Sequence, residues 1–338
     1  MLKQTYILLI ALFVLTACSP SNALKDALEE YHSRLARVLD IEISQQPFTF
    51  EHSFPPKSTL YKEPASLSIN VQEFMSLPDC QLSTLIAERN TAMGKTQLPS
   101  QRYIYEVNLL NTLRQCIDAN SDSSDQGKLV EAFEHKRTTI HHSYANLLQT
   151  SSEIHQALTQ SAEFIDLTEN SGLVETLAAL EFLLSINPEQ QLSSSIESER
   201  LENHLHDLLK TRLPAKLWRS EQLIIAFFDF STPLLKQQFD TISCRTSAEQ
   251  NRASILRNVF FMFFAEQIQP IAGQINNSYY KLSPLLVRIA DLSEIAPEWK
   301  NAIDEMLAQH DRYALAMREH ITLWQELFKR CNLSPSKT

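Results

Sequence analysis

The chain has 338 residues, a formal charge of −10 and 4 glycines. That length supplies one large domain, or two small ones, with a real core. The acidic balance argues against nucleic acid, whose binding rests on displacing phosphate counterions, and against polybasic contact with anionic lipid; the scarcity of glycine argues against hairpin turns and for helices.

Residues 1–18 read MLKQTYILLIALFVLTAC. Lys3 gives a short positive start, Tyr6 to Leu15 form a nearly unbroken apolar run, and the chain turns polar at Ser19, Pro20, Ser21 and Asn22. This is the plan of a secretory signal. About ten apolar residues are too few to cross a bilayer as a helix, which takes roughly 20. Leu15-Thr16-Ala17-Cys18 resembles the lipobox of exported bacterial lipoproteins. The resemblance implies a signal peptide over 1–17 and a mature chain of 18–338. That chain would be held at a membrane by acyl chains on Cys18. An ordinary cleaved signal with a chance cysteine is the alternative. By the same resemblance, Ser19 in place of Asp implies the outer membrane of a Gram-negative cell, facing the periplasm. Loss of Lys3 takes the formal charge from −10 to −11.

Beyond the signal, Leu24, Leu28, Tyr31, Leu35 and Val38 recur at steps of three and four, which predicts an amphipathic helix over 22–40. Pro47, Pro55, Pro56 and Pro64 forbid a continuous helix over 41–67. Phe48, Phe50 and Phe54 lie among them, which predicts an extended segment laid over the core by its aromatics. A helix from 79 to about 93, a turn at 94–98 and a helix from Pro99 to about 118 read as an antiparallel hairpin. Leu98 lies 18 residues from both Cys80 and Cys116, so these cysteines stand level on facing helices. A polar loop at 121–125 leads to helices at about 128–149, 152–160, 172–186 and 194–211. Pro214 begins another, and Pro233 restarts the chain. The stretch 247–280 carries Val259 to Ala265, a run apolar on every side that predicts a buried central helix, kinked at Pro270. The last helix covers about 297–331. Antiparallel packing of these two through 281–296 brings Cys244 and Cys331 to one end. With an oxidising compartment, the expected disulfides are Cys80–Cys116 and Cys244–Cys331, four buried free thiols being the alternative. The expected fold is an all-α multi-helix bundle with long antiparallel helical hairpins and a Pro-rich extended N-terminal segment. It forms a single domain in which two lobes would meet near residue 165.

Candidate chemistry is sparse. Gly94-Lys95-Thr96 looks like the end of a phosphate-binding loop, but Arg89 stands where that loop needs glycine, and a helix precedes it instead of a strand. Glu131, His135 and His142 share a helical face at metal-ligand spacing, which a solvated face shows equally. His204 and His206 point apart on a helix. His310 sits in the apolar stripe of the last helix among Met306, Tyr313 and Met317. Asp229 lies between Phe228 and Phe230, and a buried carboxylate needs a partner. A meeting of Asp229 with His310 or Arg257 is the secondary candidate site; a hydrogen-bonded core histidine and a polar helix position explain the two residues equally. The primary candidate is the hairpin tip, with Glu88, Arg89, Asn90, Arg102 and Glu106, and with Asn90 opposite Glu106. Such a cluster either braces the turn or receives a polar ligand or partner. No catalytic residue, cofactor or metal ligand is assigned.

Cys80-Gln81-Leu82, Leu85-Ile86-Ala87-Glu88-Arg89-Asn90, Gly94-Lys95, Pro99-Ser100-Gln101-Arg102 and Tyr105-Glu106 form one block. It resembles a family of lipoproteins of Gram-negative proteobacteria, domain of unknown function 3080, over nearly the whole mature chain. The resemblance implies the lipoprotein address and carries no activity, substrate or catalytic residue. The expected function is a non-enzymatic outer-membrane lipoprotein that binds an envelope protein partner or another envelope component. A periplasmic small-ligand or metal binder is the alternative, and an envelope hydrolase comes third.

Overall fold

The computed structural model describes residues 22–42, 48–50, 54–63, 80–91, 97–120, 126–167, 172–189 and 195–333. The signal, Cys18, Lys95 and the hairpin turn lie outside these residues. Among the described residues the regular structure is helical and there is no strand. In chain order the helices are α1 (Ala23–Leu39), α2 (Lys57–Leu60), α3 (Leu82–Arg89), α4 (Pro99–Ala119), α5 (Gln126–Thr150), α6 (Ser152–Thr159), α7 (Leu173–Ser185), α8 (Ser198–Thr211) and α9 (Leu213–Asp240). Then α10 runs through Ser247–Val259, a π-helical stretch Phe260–Ile268 and Gln269–Ala290, and α11 covers Pro297–Arg330.

Local chemistry sets the ends. Thr246 and Glu249 form a reciprocal capping box at the start of α10, satisfying two amides that the first turn leaves open. Pro99 opens α4, where a missing N–H costs nothing. Gly172 precedes α7 with φ +73°, and a Cβ there would come within 2.6 Å of the Thr211 side chain, so the position needs glycine twice over.

The core is one large cluster running from Leu24 in α1 to Cys331 beyond α11, with Phe164 and Ile165 inside it. Trp218, Trp299 and Trp324 are its largest fully buried side chains. The α9–α11 packing lies at its centre, with α10 against α1 and α11. A smaller cluster of Leu82, Ile86, Tyr105, Leu109, Leu113, Cys116, Leu129 and Ala132 joins α3, α4 and α5. Both expected disulfides are present, Cys80–Cys116 with Cα atoms 5.1 Å apart and Cys244–Cys331 with Cα atoms 5.3 Å apart. Phe48 and Phe54 pack on the core as expected, 6.2 Å from Phe164 and 6.2 Å from Trp299 between ring centroids. Their segment is not wholly extended, since it includes the single turn α2. Asn146 and Gln149 of α5 dock that region by bonding the backbone of Lys62 and Leu60.

Three sequence expectations are corrected. Pro233 does not restart the chain but lies inside α9. Pro284 likewise lies inside α10, which extends to Ala290 and leaves only 291–296 as the connection to α11. A proline frees the carbonyl four residues earlier. Here the carbonyls belong to Asp229 and Tyr280, both exposed like the prolines themselves, so water can satisfy them. At Pro270 the adjustment takes the form of the π-helical stretch, whose end bonds the Gln269 amide to the Phe264 carbonyl. The run Val259 to Ala265 is not buried all round: Met262 is 53% exposed. Phe263 and Phe261 are only half-buried and lie under the guanidinium groups of Arg34 and Arg257, at 5.2 and 4.8 Å.

Candidate functional site

Two of the hairpin charges, Arg102 and Glu106, are drawn inward. Glu106 is buried on α4 and turns to α5, where Lys136 Nζ lies 3.0 Å from one carboxylate oxygen. Arg102 Nη2 lies 2.5 Å from the other. Arg102 also covers the Tyr105 ring at 5.5 Å. Burial, then the Glu106 charge, push the Tyr105 phenol up to about 12. Asn90 is exposed, and its backbone amide closes α3 on the carbonyls of Ile86 and Ala87. Glu88 is exposed and Arg89 half-buried on the same helix. Of the five expected tip residues, the structure therefore joins Arg102 and Glu106 in a brace between α4 and α5, with Lys136 as the third member.

His310 is buried, but its partner is Glu221 of α9. Its Nδ1 lies 2.6 Å from Glu221 Oε1, and Gln309 Nε2 donates to the other oxygen at 3.2 Å. Burial raises the Glu221 carboxyl, against hydrogen bonding from His310 that lowers it. A carboxylate holding an imidazole is the orienting half of an acid–base pair. Here the ring stacks on Tyr279 with centroids 3.5 Å apart, meets the edge of Tyr280, and is 4% exposed. That arrangement packs the ring among aromatic side chains, with one face covered by Tyr279. Asp229 does not meet either expected partner. It is exposed, because it falls on the outer face of α9 while Phe227 and Phe228 turn in. Arg257 bonds the Leu333 carbonyl instead.

His320 joins three helices. Trp324 Nε1 donates to its Nε2 at 3.1 Å, Tyr31 Oη lies 2.9 Å from the same nitrogen, and Thr232 Oγ1 lies 3.1 Å from Nδ1. An indole can only donate, so Nε2 is the acceptor and Nδ1 carries the proton. Complete burial lowers this imidazole to about 3, and it is neutral at physiological pH. The face with Glu131 and His135 holds no such cluster; His142 is 3.5 Å from Glu294. Among the described residues no group of three metal-ligating side chains converges.

A cleft of 1190 Å³ lies between α1 and α9, reached also by Phe48, Phe164 and α11. Leu28, Leu223 and Phe227 line it with apolar surface, and Lys25, Glu29, Arg219, Asp229 and Arg312 supply charge. His32 stacks on Phe227 at 3.8 Å, and burial lowers it to about 4. Arg219 is walled by Phe48, Phe50 and Phe164, its guanidinium carbon 5.6, 5.4 and 4.8 Å from their centroids. Its Nε is buried with no hydrogen-bond partner among the described residues. Gln309 faces the cleft on one side and Glu221 on the other. Asn22, also on the lining, is four residues after Cys18, so the covalent chain limits their separation to about 14 Å.

Sequence reasoning reached Asp229 but not this cleft, nor Glu221. Glu221 was discoverable: Leu217, Glu221, Ile224 and Phe228 follow the 3–4 spacing of one buried face. Arg219 carried no such signal, because its aromatic walls come from residues 48, 50 and 164.

Among the described residues no helix is long and apolar enough to cross a membrane. No curated protein and no solved structure matches the chain. A family model described as "Protein of unknown function (DUF3080)" matches residues 28–335, which include α3, α4, both disulfides and most of the cleft lining. The chain belongs to that family.

Proposed function

We propose that this chain is a lipid-anchored protein of the Gram-negative outer membrane, facing the periplasm, that binds an envelope component in the α1–α9 cleft and performs no catalysis. The observation that carries this reading is the cleft. At 1190 Å³ it exceeds the range of roughly 300–1,000 Å³ typical of small-molecule sites, and it combines an apolar lining with charge of both signs. The lipobox supports the address, and Asn22 ties the two together. Lipid on Cys18 would hold the lip of the cleft within about 14 Å of the anchor. The buried carboxylates support the non-catalytic part, since Glu106 and Glu221 are engaged in bracing pairs between helices.

The test is crosslinking in intact cells, purification, and intact-mass measurement of the protein and what accompanies it. The expected mature chain begins at Cys18 and carries lipid, and a bound component is lost or weakened in Ala226→Trp, which places an indole in the cleft lining, but retained in Glu88→Ala. A lipid-free N-terminus would refute the anchor. A component lost in Glu88→Ala and kept in Ala226→Trp would move the site to the hairpin.

A further inference from the structure

We infer that the cleft receives an acyl chain with an oxyanion head, the chain lying on Ile225, Ala226 and Phe230 and the head meeting Arg219. This rests on the binding reading above and names the ligand class. Three aromatic rings fix the Arg219 guanidinium in place through their π faces. Its Nε–H is buried and unbonded among the described residues, a costly state that an incoming acceptor relieves. A carboxylate or phosphate does so best, because two oxygens match the guanidinium fork. The local charge agrees: Lys25 lies 3.6 Å from Glu29, which leaves Arg219 and Arg312 against Asp229 on a chain of net charge −10. Two arginines at a pocket make a site for one head group and not a polybasic surface. Beyond the head, the lining continues over half-buried Ile225 and Phe230, which is 38% exposed. An anchored lip close to a bilayer meets molecules of this kind at high local concentration.

The probe is cis-parinarate, a fluorescent eighteen-carbon carboxylate, titrated into the full mature chain carrying Cys18→Ser so that no detergent is present. Saturable one-to-one binding is expected. Oleate tests a carboxylate head, lysophosphatidylglycerol a phosphate head, and methyl oleate the same chain without charge. Displacement by either anion supports the proposal and identifies its source, and displacement by both identifies the shared oxyanion. Methyl oleate should compete about ten-fold more weakly, and Arg219→Gln should weaken the anions by about ten-fold. Thermal melting shows whether the variant is folded, and Arg312→Gln gives a second, exposed substitution with the same expected direction. Absence of saturable binding, equal competition by the ester, or unchanged affinity in both arginine variants overturns the proposal. If the probe fails while the component captured in cells is still lost in Ala226→Trp, the ligand class falls and the binding reading stands. If both fail, both fall.

Discussion

The α4–α5 contact and the α9–α11 contact are each built around one buried carboxylate, and they neutralise it differently. Glu106 is held by two cationic side chains, Lys136 and Arg102. Glu221 is held by His310 and Gln309, an imidazole and a neutral amide. The first region, with its small apolar cluster, has a brace of one carboxylate and two cationic side chains. The second, inside the main cluster, pairs an imidazole and an amide with a carboxyl that burial raises. Each region also has its own disulfide. The contrast separates two ways of joining helices: a carboxylate with two cations where little apolar surface is available, and an imidazole–carboxyl pair where much is.

The largest effect is expected from removing the bridge of the main body. Cys244→Ala with Cys331→Ala opens a loop of sequence separation 87, worth about 4–5 kcal/mol by chain entropy, and should lower denaturant stability of the whole body. Cys80→Ala with Cys116→Ala opens one of 36, worth about 4 kcal/mol, and its effect should be confined to hydrogen exchange in α3 and α4. Loss of exchange protection throughout the molecule in the second variant would erase the distinction between the regions. Next comes Glu106→Ala, which leaves Lys136 buried without its partner and should cost about 3–4 kcal/mol. The double variant Glu106→Leu, Lys136→Met should recover most of that loss in urea denaturation.

The pH dependence sharpens the contrast. Glu221 has a raised folded value, so its contribution is full below the unfolded carboxyl value near 4.5 and is lost as pH rises through the raised value. Glu221→Gln should remove that slope, at most about 1.4 kcal/mol per pH unit. His320 has the opposite sign. Its folded value is lowered to about 3, so its contribution is full above 6.5 and is lost as pH falls toward 3. Urea melts of the parent chain, Glu221→Gln and His320→Asn from pH 3 to 8 separate the two. A slope that persists in Glu221→Gln would assign it elsewhere. The smallest stability effect belongs to Arg219→Gln, under about 1 kcal/mol, since its aromatic contacts are partly solvated.

The helical periodicity was readable wherever apolar residues recurred at 3–4 spacing, and the ends of α1, α4, α5, α6 and α11 fall within a few residues of where that spacing and the prolines placed them. The disulfides were readable because residues at similar distances from a turn return to the same level of the bundle, although only Cys116 lies within a helix. Pro233 misled, since a proline on the exposed face of a packed helix sacrifices only a bond that water replaces. Of the hairpin cluster the structure pairs Arg102 with Glu106; periodicity does not say which polar residues turn inward, and Lys136 lies on another helix. The cleft was illegible for a related reason: it is an unfilled space between α1, α9, α11 and the segment around Phe48, and no local pattern records a space.

The most direct test of the cleft as the working site is a pair of photoreactive residues introduced singly at Ala226 and Glu88, both exposed, with irradiation of intact cells. An adduct of an envelope component is expected at 226 and none above background at 88. An adduct at 88 with none at 226 would contradict this expectation and return function to the hairpin.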